Sequence, residues 1–153
     1  MSLDESQVRR YSRHVLLPDV GGVGQERLLG SSVRIDVTPP CPAAIVAIAY
    51  LAAGGVGRLV LSGETSGAVT AEEAATGVLF GSVDRGLPRH QAISERVAAL
   101  NPDVSVVVGE SAEDAAGQST LLEVVGGADS VADSLIVGAR AAARLMASIA
   151  RAR

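Results

Sequence analysis

The feature that most constrains this chain is the stretch from Ser32 to Leu61, where two short β-prone segments flank one apolar run. Ser32–Val37 (SVRIDV) alternates polar and β-branched residues, and Arg58–Leu61 (RLVL) is again aliphatic, so each predicts a strand. Between them Thr38–Pro42 holds three prolines and cannot prolong the first strand, because proline has no N–H to give a ladder. A helix's first turn tolerates proline, since that N–H would lack an intrahelical partner anyway. The spacing therefore predicts a helix over 42–53, apolar nearly all round and so buried on more than one side. Gly54, Gly55 and Gly57 end it. Strand, helix and strand at this spacing make a βαβ unit.

The pattern continues downstream. Arg89–Leu100 is amphipathic, with Ile93, Val97 and Leu100 on one face; Asn101 and Pro102 stop it, and Val104–Val108 reads as a third strand. Thr70 is placed to cap a helical turn over 71–76, with Glu72 and Glu73 in its first turn. Ser119–Val125 reads as a helix, Ala128–Ala132 as a fourth, short strand, and Ser134–Arg153 as a long helix. Upstream, Asp4–Leu17 reads as one helix capped by Asp4, Gly21, Gly22 and Gly24 as a break, and Gln25–Leu29 as a helical turn. Strands alternating with helices predict an α/β fold with a mainly parallel sheet and right-handed crossovers.

Composition narrows the chemistry. The 153 residues are 48% hydrophobic and 20% charged, with a net charge of -4, and the mean hydropathy is +0.33; disorder needs the opposite balance. Only Tyr11, Tyr50 and Phe80 are aromatic, so the core is aliphatic. Every basic residue except the two histidines is arginine, which excludes Schiff-base, P-loop-lysine and lysine-base mechanisms. The single cysteine, Cys41, excludes an internal disulfide and a Cys-rich zinc site. The polar N-terminus carries no hydrophobic signal region, and the apolar run 43–53 is shorter than the roughly 20 residues of a membrane span. The expectation is a cytoplasmic protein with no membrane segment. An acidic balance with few aromatics also argues against nucleic acid. Neither His14 nor His90 has a ligand-spaced partner, so both read as solvated or capping groups, and no metal is expected.

Four blocks, taken together, carry a resemblance: RYSRHVLLPDVGGVGQERLLGSSV, YLAAGGVGRLVL, VLFG with GLPRHQAISERVAALNPDVSV, and GADSVAD. In order and spacing, from about Gln7 to Asp133, they resemble the ThiF/MoeB/HesA family, the bacterial relatives of ubiquitin-activating enzymes. The resemblance implies a Rossmann-like α/β fold with helices on both faces of the sheet. It also implies ATP·Mg binding, adenylation of the C-terminal glycine of a ubiquitin-like or sulfur-carrier protein, and a dimer. On this reading residues 1–30 are a helical segment of the same domain and part of the dimer interface. Residues 31–153 are the nucleotide-binding-type domain, without the family's C-terminal half.

Matched residue by residue, the family's ATP site is degraded. Its glycine-rich phosphate loop is replaced by Asp36-Val37-Thr38-Pro39-Pro40-Cys41-Pro42, which loses N–H donors and adds a negative charge where phosphates would lie. Ser62-Gly63-Glu64 stands in for the ribose-binding D-x-D, leaving only Glu64. Val69–Ala74 replaces S-N-L-x-R-Q, putting acids where the family has a phosphate-binding arginine, and Arg89 replaces a lysine. Asp133 matches the first acid of D-x-x-D-N, but Ile136 and Val137 take the D-N positions. These losses together imply a pseudoenzyme with no bound cofactor and no catalytic residue. A rebuilt site using Cys41 or Asp36 is the competing reading, although Cys41 has no basic sequence neighbour to activate it.

The N-terminal segment is better kept. Arg13, with Arg10 beside it, matches a family arginine that reaches the partner's ATP site in trans. The expected partners are a second copy or an active paralogue, with a ubiquitin-like or sulfur-carrier protein as a further candidate. A divergent adenylyltransferase using ATP and Mg is the alternative. Surface pairing of Arg10 and Arg13 in a homodimer is the blander reading, and Arg140, Arg144, Arg151 and Arg153 read as a solvated helix face.

Overall fold

The computed structural model describes residues 2–109, 119–122, 124 and 130–152. Helices α1 (Glu5–Arg10), α2 (Ser12–Val15) and α3 (Gly21–Leu29) lead into β1 (Ser32–Asp36), α4 (Pro42–Gly54) and β2 (Arg58–Ser62). Then come α5 (Ala71–Ala75), a 3-10 turn at Ser82–Asp84, α6 (Arg89–Leu100), β3 (Ser105–Val108), β4 (Ser119–Leu122) and α7 (Val131–Arg151). All strand pairings are parallel, and the sheet order is β3-β2-β1-β4.

Register explains the core. Val33 and Ile35 of β1 lie beside Leu59 and Leu61 of β2, which lie beside Val106 and Val108 of β3. Alternate residues share a face, so Val33, Ile35, Leu59 and Leu61 form one buried apolar surface against α4, while Val108 on the edge strand stays exposed. Helix α4 is buried along almost its whole length, as an all-round apolar helix must be. It ends at Gly55, whose φ of 82° is the left-handed conformation glycine adopts freely. Helix α7 lies along α4, with Ser134, Gly138, Ala142 and Ala150 turned inward. Gly138 permits that approach: a Cβ there would collide with the Ala43 carbonyl and sit 2.7 Å from Val46 Cβ.

Several expectations need correction. The helix expected over 4–17 is two, divided at Tyr11, whose ring is only 2% exposed. Gly21, Gly22 and Gly24 do not break the chain but open α3. Gly24 is there for fit, since a Cβ would lie 3.2 Å from that of Ala150. The expected helix over 119–125 is instead strand β4 over Ser119–Leu122, because Ser32–Ile35 of β1 offers a free edge and pairs with it residue for residue. The strand expected at 128–132 fails at its end: Ser130 caps α7, and Val131 and Ala132 are helical. Ala128 and Asp129 lie outside the described residues.

Candidate functional site

The candidate crevice is the carboxyl edge where β1 and β2 end, the side on which parallel α/β sheets present their loops to ligands. Asp36 closes β1, and its Oδ1 accepts the Thr38 N–H at 2.7 Å. Thr38 Oγ1 in turn accepts the Glu64 N–H at 3.3 Å, and the Ser62 hydroxyl donates to the Ile35 carbonyl at 3.3 Å. Gly63, with φ 80°, sits under this loop; any Cβ on it would strike both Thr38 Oγ1 and Asp36 Oδ1. The segment after β1 is thus folded down onto the end of β2. Asp36, Thr38, Ser62 and Glu64 do meet here. The Pro39–Pro40 bond is cis, and α4 starts with Pro42 and no side-chain cap.

Beneath this layer lies a buried ion pair. Arg89, the first residue of α6, donates from Nε to Glu73 Oε1 at 3.1 Å and from Nη2 to Oε2 at 3.4 Å. Both side chains are 0% exposed. The same guanidinium donates to the Glu64 carbonyl from Nη1 and the Ala68 carbonyl from Nη2, each at 2.9 Å. Glu73 is the third residue of α5 and part of a capping box: its Oε2 accepts the Thr70 N–H at 2.8 Å, while Thr70 Oγ1 accepts the Glu73 N–H. Glu73 Oε1 also accepts the Cys41 S–H at 2.9 Å.

The electrostatics follow from these contacts. Burial by itself would raise the Glu73 carboxyl, but hydrogen bonds from Cys41, Thr70 and Arg89 outweigh it and hold Glu73 below the usual carboxylate range. Cys41 is driven the other way. Burial first, then the adjoining Glu73 carboxylate, pushes its thiol far above the ordinary range. A thiol kept protonated is a poor nucleophile, so the geometry disfavours Cys41 as a rebuilt catalytic group.

The remaining candidate residues are dispersed. Asp133 stands in the first turn of α7 rather than at a strand end, where its carboxylate accepts the Ser130 hydroxyl at 2.7 Å. Arg10 pairs with Asp103 within its own chain. Asp103 also accepts the Tyr11 hydroxyl at 3.0 Å, and Asn101 bridges Tyr11 to the Ala52 carbonyl. Arg13 is exposed and has no ion pair among the described residues. His14 bonds Gln25, and His90 bonds the Thr65 carbonyl. The resemblance places Glu73 and Arg89 at two cationic family positions, but their pairing with each other was not legible in the sequence. The available signal was two neighbouring site positions carrying opposite charges where the resemblance has two cations.

The four-stranded parallel sheet with helices packed around it defines a Rossmann-like α/β domain. No family model matches the chain. It is 40% identical over 134 residues to the SAMP-activating enzyme E1 of Haloferax volcanii, covering 88% of this chain and 47% of that one. With the sulfur carrier protein ThiS adenylyltransferase of Escherichia coli it shares 32% identity over 128 residues, 78% of this chain and 49% of the relative. The chain thus spans about half the length of these curated relatives. Among solved structures, the tRNA N6-threonylcarbamoyladenosine dehydratase TcdA of Escherichia coli has the same fold. It aligns with a TM-score of 0.67 at 15% identity, over 89% of this chain and 57% of that one. The chain belongs to the ThiF/MoeB/HesA family. No helix among the described residues is long and apolar enough to cross a membrane.

Proposed function

We propose that this domain has lost ATP binding and adenylation and acts through protein association, as a homodimer or as the inactive partner of an active paralogue. The observation that carries this reading is the buried Glu73–Arg89 pair. By resemblance, those two positions hold an arginine that meets phosphate and a lysine. Here one is an acid, and it neutralises the other inside the protein.

The residues at the crevice do not fit a triphosphate with its magnesium. Phosphate sites need converging N–H groups or free cations. Pro39, Pro40 and Pro42 supply no N–H, Arg89 is committed to Glu73 and two carbonyls, and Asp36 and Glu64 are exposed acids beside Thr38. Losing two or three charge-assisted donors, at roughly 1.5–3 kcal/mol each, would weaken phosphate binding by orders of magnitude. Titration calorimetry with ATP·Mg tests the proposal: no measurable heat is expected, and a Kd tighter than about 100 μM overturns it.

The relatives' names support a second reading, a divergent adenylyltransferase that activates the C-terminus of a ubiquitin-like or sulfur-carrier protein. Carrier-dependent ATP–pyrophosphate exchange above background is the outcome that favours it. In the association reading, exposed Arg13 faces a partner's site, and the partner is a second copy or a family paralogue.

A further inference from the structure

The Glu73 carboxylate is surrounded as a bound ligand would be. Its two oxygens receive four hydrogen bonds from three separate segments: Cys41 before α4, Thr70 before α5, and Arg89 at the start of α6. The donors are of three kinds: a guanidinium, a backbone N–H and a thiol. Arg89 uses its remaining contacts to hold the carbonyls of Glu64 and Ala68, on the loop between β2 and α5. Among the described residues no buried side-chain nitrogen or oxygen lacks a partner. One carboxylate therefore organises both loops that edge the crevice, the task a bound anion performs in sites with mobile loops.

We infer that Glu73 is the internal occupant of a carboxylate-binding cradle formed by Arg89, Cys41 and the Thr70 N–H, and that this self-occupation holds the crevice loops in place. The cradle selects a planar two-oxygen anion, because a guanidinium edge meets both oxygens while the backbone and thiol donors take their other lone pairs. With Glu73 seated, an external anion has no route to Arg89, whose side chain is 0% exposed. The inference concerns the same crevice as the proposed loss of ATP binding, but its test uses no nucleotide, so either can fail alone.

Cys41 reports on the cradle directly, being the sole cysteine and bonded to Glu73. Its alkylation under native conditions is expected to be slow in the unaltered protein. In Glu73→Ala it should rise by about tenfold or more, as local opening of the segment before α4 becomes easier. Sodium acetate should then restore protection, whereas sodium chloride at equal ionic strength should not. Unchanged labelling in Glu73→Ala, or acetate no better than chloride, overturns the inference. Should Glu73→Ala fail to fold, Glu73→Gln serves instead: its amide fills the cavity, so labelling should rise without acetate rescue. Labelling at the unaltered rate in Glu73→Gln overturns the inference equally.

Discussion

Arg89 and Glu73 lie 3.1 Å apart with neither side chain exposed to solvent. Sixteen positions separate them in the chain, and each opens or forms part of a different helix. A charge pair in such a place is held by geometry, because desolvating two ions costs nearly as much as their attraction returns. Breaking the pair from one side is another matter, since it strands the other charge.

The first prediction follows. Arg89→Met should destabilise the fold by about 3–5 kcal/mol in urea unfolding. The double variant Glu73→Gln/Arg89→Met should be less destabilised than the sum of the singles, because no charge is left stranded. Gln can still serve the capping box with Thr70. Additive losses would show that the two residues are not coupled.

Acid should weaken the protein through the same carboxylate. Glu73 and Asp84 both titrate below their ordinary values of 4.5 and 3.8, Asp84 mainly because Arg96 donates to it. The unfolded chain therefore takes up these protons first. Their stabilisation is complete above the ordinary values and is lost as pH falls through the lower, folded ones. Thermal midpoints should hold steady from neutral pH down to about 5 and then decline; Glu73→Gln should flatten part of that decline.

Two glycine substitutions should have opposite signs. Gly138→Ala drives a methyl into the Ala43 carbonyl and Val46 at the α4–α7 crossing, and should cost about 1–3 kcal/mol. Gly22→Ala, in α3 with nothing within 4 Å of the added carbon, should stabilise by about 0.5–1 kcal/mol through helix propensity. Denaturant midpoints of the two variants measure both effects.

Tyr11→Phe removes a hydroxyl that donates to Asp103 and accepts from Asn101, a residue 1% exposed. The Asn101 Nδ2 then keeps only the Ala52 carbonyl, its Oδ1 still accepting the Asp103 N–H, and a loss of about 1–2 kcal/mol is expected from urea unfolding.

Arg13→Ala, by contrast, should leave the stability of the chain within about 0.5 kcal/mol, because the side chain is exposed and without an ion pair among the described residues. If Arg13 serves a partner, the variant should weaken association in sedimentation or slow an active paralogue reconstituted with it. An unchanged partner in both measurements removes Arg13 from that role.

What the sequence by itself determined is local. Prolines before an apolar run set where α4 begins, glycines set where it ends, and β-branched segments on either side became β1 and β2. Arg89–Leu100 is helical over the range its amphipathic spacing predicts. The absence of N–H donors at Pro39, Pro40 and Pro42 was equally legible, because proline's missing N–H needs no neighbours to be interpreted.

Only the tertiary structure decided which distant groups meet. Ser119–Leu122 became a strand because β1 had an edge to pair, and a pairing partner is not written into the segment itself. Tyr11 divides the expected N-terminal helix at the point where its ring is buried against groups some ninety positions away. Glu73 and Arg89 looked like two separate losses from a cationic site. Folding brought them into one buried pair, because burial and Coulomb attraction depend on distance in space, which local periodicity does not carry.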